Sequence, residues 1–302
     1  MDRLDELRLL LAILDGGSLA AAGRRLRLSP PAVTRGLAAL EDRLGARLIE
    51  RTTRRLAPTE AGRRLADQAR RMLADYAEAM LEAAGEAAAP RGRLRVAAPL
   101  VFGRRHVAPI VTSYLDAQPG VTAELMLSDR PLDLIEEGVD VALRIGAVAE
   151  TTLVARRVGQ LRRVLAASPG YLARHGTPAA PPDLAMHETV LFAGLGAAPE
   201  WRFAAPGGGE VTVRIAPRFL VTGAEAAVAA ACAGSGILRV LSYQVAEEIA
   251  DGRLVRVLRA FELPPVPVQL VFPTARLMAP RLRAFLDMAA PRLAALDVLR
   301  AA

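Results

Sequence analysis

The chain has no lysine, one cysteine and three histidines in 302 residues. A single cysteine, Cys232, excludes an internal disulfide, and no cysteine or histidine cluster has the spacing of a zinc site. Long apolar runs are also missing. Although 52% of the residues are hydrophobic, Arg, Asp, Glu, Gly or Pro interrupts each stretch well before the roughly eighteen residues that a membrane span requires. The start, MDRLDELRLLLAILDGGS, places acids in an amphipathic pattern where an export signal has a basic start and an unbroken apolar core. A cytoplasmic protein with no bound metal, no cofactor and no membrane partner is expected.

Catalytic signals are equally sparse. His106, His175 and His187 lie in no recognisable nucleophile or metal context, and the glycine-rich PGGGE lacks the strand-to-helix setting of a phosphate loop. All three histidines read as surface or core residues, and no enzyme is expected. Thiol-based redox regulation requires a reactive cysteine and usually a resolving partner. Cys232 stands alone in an alanine-rich helix, where a small buried thiol is the simpler reading.

What is present is arginine. It supplies all 39 basic residues against 32 acids, a formal charge of +7. The charge is unevenly placed. From Arg24 to Arg71 there are 13 arginines and 5 acids, whereas residues 91–302 carry 24 arginines and 19 acids. Positive density at one end suits contact with a phosphate backbone. The length implies two or more compact units, each with material for a core.

Leu4, Leu7, Leu10, Leu11 and Leu14 recur at helical spacing behind Asp2, which predicts a helix over 3–14 ended by Gly16-Gly17. Ser18 caps a second helix, LAAAGRRL, and after the tight RLS connection a third begins in LSPPAVTRGLAALEDRLG. There Val33, Leu37, Leu40 and Leu44 form a buried stripe that leaves Thr34, Arg35 and Ala38 outside. Either Ser29 caps this helix with Pro30 and Pro31 in its first turn, or Pro30 is the cap and the helix starts at Pro31. ARLIERTTRRLAP follows as two short strands around a basic tip, a wing. From Thr59 a long helix runs towards Ala89, with Ala61, Leu65, Ala69, Met72, Tyr76, Met80 and Ala83 on one stripe. So long an apolar stripe calls for a second copy of itself.

Ala89-Pro90-Arg91-Gly92 breaks that helix and marks a boundary. Beyond it the pattern alternates: strand RLRVAAP, helix 103–117, strand VTAELMLS, short helix DLIEEG, strand VDVALRIG and then LRRVLAAS. A helix over 169–174, a proline-rich loop, strands near 190 and over 211–221, and a helix over 224–233 come next. Helix SYQVAEEIADG, strand PVPVQLVFP and a C-terminal helix over 280–296 complete the chain. Such alternation predicts an α/β remainder built of βαβ units on a parallel sheet.

A helix-turn-helix places the N-terminal half of its second helix against base edges in the major groove. Exposed Thr34 and Arg35 can donate there, small Ala32 and Gly36 permit close approach, and Glu41 and Asp42 sit in the half that must stay out. Together with the preceding short helix and the arginine-tipped wing, this favours a DNA-binding module over an ordinary amphipathic core helix.

At this point the string from MDRLDELRLL through LSPPAVTRGLAALEDRLGARLIERTTRRLAPTEAG resembles the N-terminal domain of the LysR-type transcriptional regulators. The likeness continues at lower specificity through RGRLRVAAP, LSDRPLDLIEEGVDVALRIG, VARRVG, ASPGYLARHG and LSYQVAEEIADGRLVRVL to about residue 295. It implies a winged helix-turn-helix over 1–58 and a dimerising linker helix over 59–90. The remainder would resemble a two-lobed periplasmic binding protein, with lobe I over 91–161 and 268–302 and lobe II over 162–267. It further implies tetramers on double-stranded promoter DNA, with a small organic anion between the lobes altering transcription. A solute-binding protein without regulatory DNA binding is the alternative, suited to the C-terminal two-thirds alone.

Carried over by residue, the resemblance places DNA contacts on Ser29, Pro30, Pro31, Thr34 and Arg35, and in the wing on Arg51, Thr52 and Arg54 or Arg55. Pro30 stands where the family usually has Gln, Thr34 where it has Ser, and Gly36 where it often has Gln. Losing an amide at position 30 removes about 1–3 kcal/mol of base discrimination, which shifts specificity to Thr34, Arg35 and DNA shape. The implied effector contacts are Ala98, Pro99, Leu100, Val101, Ser128 and Arg144 from lobe I and Val221, Thr222 and Gly223 from lobe II. Helix starts there would favour an anion. With Ala98 in place of Ser and Val221-Thr222 in place of Asn, the cleft is either more apolar than usual or has no ligand.

Overall fold

The computed structural model describes residues 1–51, 56–83, 89–130, 132–147, 153–195, 199–205, 207–273 and 278–300. The chain divides into two compact units, Met1–Ala89 and Pro90–Ala302.

In the first unit, helix α1 (Arg3–Gly16) starts with a reciprocal cap. The Asp2 carboxylate accepts the Asp5 N–H at 2.7 Å and the Asp5 carboxylate accepts the Asp2 N–H at 3.4 Å. The helix ends at Gly17 in the left-handed region, φ +63°. Ser18 Oγ accepts the Ala21 N–H at 3.1 Å to start α2 (Leu19–Leu26), and α3 (Pro30–Leu44) follows. Leu9, Leu10, Ile13, Ala22, Val33, Leu37, Leu40 and Leu48 close one core among these helices. Leu44, expected on the stripe, is 48% exposed because the last turn of α3 runs past that core.

Strands β1 (Ile49–Arg51) and β2 (Leu56–Pro58) pair antiparallel as the base of a wing whose tip, 52–55, lies outside the described residues. Thr59 starts α4 (Glu60–Ala83) by accepting the Gly62 N–H at 3.0 Å while its hydroxyl donates to the Arg47 carbonyl at 2.7 Å. Residues 84–88 of the long helix expected from the sequence lie outside the described residues.

The second unit contains two five-stranded sheets. Lobe I has β3 (Gly92–Ala98), β4 (Val121–Leu127), β5 (Val141–Ile145), β6 (Leu153–Leu161) and, from the C-terminal region, β14 (Val266–Pro273), in the order β4-β3-β5-β14-β6. Short helix α5 (Leu100–Phe102), a π turn over Gly103–Val107 and α6 (Ala108–Ala117) lie between β3 and β4. The helix expected over 103–117 thus begins three residues earlier. Lobe II has β7 (Arg163–Ala167), β8 (Thr189–Phe192), β11 (Pro217–Val221), β12 (Ile237–Leu241) and β13 (Val255–Val257), in the order β11-β8-β12-β7-β13. Its other elements are α7 (Pro169–His175), the antiparallel hairpin β9 (Glu200–Ala204) and β10 (Glu210–Arg214), α8 (Ala224–Cys232) and α9 (Ala246–Ala250). Helices α10 (Pro280–Ala294) and α11 (Asp297–Arg300) return to lobe I, where Leu299 packs on Gly159 of β6.

Three expectations need correction. The sheets are mixed, not parallel: β3 runs parallel to β4 and β5, but β14 is antiparallel to β5 and β6, and β7 is antiparallel to β12 and β13. The chain passes to lobe II after Leu161 and returns with β14 reversed, so its strands are not successive βαβ repeats. The span 211–221 divides into two strands in different sheets. DLIEEG forms a single turn, since Asp133 Oδ1 accepts the Ile135 and Glu136 N–H groups at 2.8 and 3.0 Å and Gly138, φ +60°, ends it.

Candidate nucleic-acid interface and interlobe cavity

Helix α3 begins at Pro30, with Ser29 as the extended residue before it. The Val33 N–H donates to the Ser29 carbonyl at 3.1 Å, and the Ser29 hydroxyl makes no capping bond. Because Pro30 and Pro31 carry no N–H, Ala32 is the first helical residue with a donor. This helix start is therefore a poor anion trap, and its affinity for phosphate must come from side chains. Ser29, Pro30, Pro31, Thr34 and Arg35 are all exposed at this tip, while Val33, Leu37 and Leu40 on the other face are buried. The Thr34 hydroxyl donates to the Pro30 carbonyl at 3.2 Å, which leaves its lone pairs for an incoming donor.

Gly36 has a different role from the one expected. It is buried against α1, and a Cβ there would stand 2.2 Å from Met1 Cε and 2.7 Å from Leu9 Cδ2. Its small size serves helix packing and not approach to DNA. Glu41, in the C-terminal half of α3, is engaged inward. Glu41 Oε1 accepts the Leu48 and Ile49 N–H groups at 2.8 and 3.2 Å and so positions the first wing strand. Arg43 pairs with the buried Glu6, a hydrogen bond that raises the Arg43 guanidinium above its usual range. Arg51 ends β1; Thr52, Arg54 and Arg55 lie outside the described residues.

In the second unit a cavity of about 260 Å³ lies between the lobes. Of the residues expected there, Ala98, Pro99, Ser128 and Arg144 line it. Leu100 is 42% exposed and outside it, and Val101 lines a separate hollow beside Cys232. Val221, Thr222 and Gly223 do not line it, because β11 is the edge strand of lobe II. The second wall is instead built from the more central strands and the turn after β12: Arg163, Phe192, Gly194, Leu241, Tyr243 and Gln244.

Leu241, Tyr243 and Gln244 are not legible in the sequence because β12 has no alternating strand pattern, and Arg163, Phe192 and Gly194 because strand order, not local pattern, brings them to the cavity. The available signal was the apolar run ILRVL before Ser242. Tyr243 is nearly fully buried, packs edge-on to Phe102 at 5.2 Å and so joins the lobes; burial, reinforced by the Asp129 charge, pushes its hydroxyl well above the usual phenol range. Ion pairs Arg104–Glu225 and Arg105–Glu247 also cross between the lobes. Cys232 is half-buried, and burial raises its thiol, which fits an inert cysteine.

Among the described residues no helix is long and apolar enough to cross a membrane, and no group of three or more histidine, cysteine or acidic side chains has metal-holding geometry.

Comparison with known proteins accounts for both units. The family described as "Bacterial regulatory helix-turn-helix protein, lysR family" matches residues 4–63, and "LysR substrate binding domain" matches residues 87–294. The HTH-type transcriptional regulator PtxR of Pseudomonas aeruginosa is 33% identical over 95% of this chain and 93% of its own. Among solved structures, the full-length Vibrio cholerae virulence activator AphB aligns with a TM-score of 0.60 at 27% identity, covering 95% of this chain and 98% of that one. CrgA of Neisseria meningitidis, described as a LysR-type transcriptional regulator, aligns with a TM-score of 0.60 at 31% identity, covering 96% and 98%. A helix-turn-helix module joined to a two-lobed substrate-binding domain, matched over nearly the whole length, places this chain in the LysR family of transcriptional regulators.

Proposed function

We propose that this regulator works in the cytoplasm by binding, without catalysis: it docks the tip of α3 and its wing on duplex promoter DNA, and a small organic molecule between the lobes modulates that binding. The exposed cluster Ser29, Pro30, Pro31, Thr34 and Arg35, held rigid by the buried face of the same helix, is the observation that carries this. Thr34 and Arg35 read bases or phosphates, and Ser29 contacts the backbone. Arg51, Thr52 and Arg54 or Arg55 would add wing contacts.

The DNA-bound form is a homodimer paired along α4, and pairs of dimers form a tetramer. Ala66 and Ala69 at the start of α4 are buried in the first unit, but Met72, Tyr76 and Met80 farther along are 53%, 44% and 55% exposed. An apolar stripe on a long helix is covered most simply by its own copy.

Selection from random genomic fragments with the purified full-length protein tests the proposal. A shared sequence motif is expected among the retained fragments, with affinity well above that for bulk DNA. Retention with no enrichment over the input pool would overturn sequence-specific binding.

A further inference from the structure

The interlobe cavity carries a chemical preference of its own, and the inference below rests on its proposed role as a ligand site. A helix start in lobe I would be the expected anion holder, but its polar groups are already engaged, and the remaining cation of that wall, Arg130, is exposed to solvent. The Leu100 N–H donates to Asp129 Oδ1 at 3.0 Å. The Ser128 hydroxyl accepts the Arg130 N–H at 3.1 Å and donates to the Arg130 carbonyl at 3.2 Å. Arg144 Nη2 donates to the Leu132 carbonyl at 2.8 Å. Asp129 moreover brings a negative charge to the very N–H that an anion would need.

Arg163 differs. It is the first residue of β7, half-buried in the cavity wall, and among the described residues its guanidinium has no carboxylate or hydrogen-bond partner. A second arginine without an acidic or hydrogen-bonding partner among the described residues stands beside it. The register pairs Leu241 with Arg163 and Arg239 with Leu165, so Arg163 and Arg239 share one face as diagonal neighbours, within reach of long side chains. The Arg239 guanidinium lies over the Trp201 ring, 5.3 Å from its centroid. Burial, and then the Arg163 charge, bring its pKa down to about 10. Two partly desolvated positive charges, Arg163 in the cavity wall and Arg239 behind it, have no counter-ion among the described residues and leave a site that favours an anion.

We propose that the cavity binds a small apolar carboxylate whose charge is held by Arg163 of lobe II, while Phe192, Leu241 and Tyr243 enclose its body. Arg239 strengthens the field without contacting the ligand, and the helix start of lobe I, closed by Asp129, takes no anion. A cavity of about 260 Å³ lies just below the usual range of small-molecule pockets, which suits a compact ligand such as benzoate.

Calorimetric titration of the full-length protein with sodium benzoate, against its neutral analogue benzamide and at matched ionic strength, tests this. Benzoate is expected to bind saturably and benzamide at least about tenfold more weakly. Arg163→Gln should remove that preference and weaken benzoate by about tenfold or more, Arg163→Lys should retain part of the affinity, and circular dichroism should be unchanged in both. Arg239→Gln, away from the cavity surface, should weaken benzoate by only a few-fold and provides a second check should Arg163→Gln fold poorly. No benzoate binding, equal binding of benzamide, or unchanged benzoate affinity in Arg163→Gln would overturn the proposal.

Ala147→Trp at the exposed rim separates this from the cavity assignment. Equal binding of both probes that this variant abolishes keeps the cavity and removes the charge assignment. Binding that survives it overturns the cavity as the ligand site.

Discussion

Arg35 is exposed on a helix whose opposite face is buried, so its side chain is available for docking and takes no part in the core. Arg35→Ala is expected to weaken binding to a selected DNA fragment by about five- to a hundredfold, about 1–3 kcal/mol, with an unchanged thermal midpoint; fluorescence anisotropy and a melting curve check the two halves. Gly62 is the opposite case. A Cβ there would lie 2.0 Å from the Leu48 carbonyl oxygen, which is backbone and cannot swing aside. Gly62→Ala is therefore expected to destabilise the N-terminal unit by about 1–3 kcal/mol, read from a urea midpoint. The TEAG string thus has a physical basis: Thr59 caps the Gly62 N–H, and the bare α-carbon lets β1 and α4 meet. Thr34 and Arg35 stood out in the sequence by their helical phase. Gly36 misled because a small residue beside exposed positions looks like room for a ligand, whereas its neighbours across space are Leu9 of α1 and Met1 just before that helix.

Elements with a clean period are legible in the amino-acid sequence alone. Helices α1, α3 and α4 are legible through apolar residues at three- and four-residue spacing, α2 through its Ser18 cap, and β3 to β5 as strand patterns. Strand β12 is not, because it is central and buried on both faces, which erases the two-residue pattern. Strand β6 lies at a sheet edge with four consecutive exposed residues, which erases it in the other direction. Helix α4 carries its own expectation. If Met72 and Tyr76 cover a second copy, the double substitution Met72→Glu with Tyr76→Glu places like charges across that contact. It should lower the assembly mass measured by light scattering, with the helix content retained. An unchanged mass would move the oligomer contact elsewhere.

At the scale of the whole molecule, charge distribution and lobe geometry take over. The N-terminal excess of arginine implies that DNA binding releases counter-ions. Affinity is therefore expected to fall by tenfold or more between about 50 and 200 mM salt, and a flat dependence would remove the electrostatic contribution. Salt-resolved anisotropy on one fragment measures this.

The sequence by itself determined the helix-turn-helix, the α/β character of the remainder and the boundary at Ala89-Pro90, since these depend on local periodicity, caps and breakers that act within a few residues. Only the tertiary structure decided which residues face the cavity. Arg163 and Tyr243 are 80 positions apart and meet Ala98 and Arg144 there. Their approach depends on strand order and on two crossings between the lobes, and neither leaves a local mark in the chain. The same holds for Asp129, which closes the helix start at Leu100 from 29 residues away, and for Gly36, whose neighbours were set by packing and not by sequence distance.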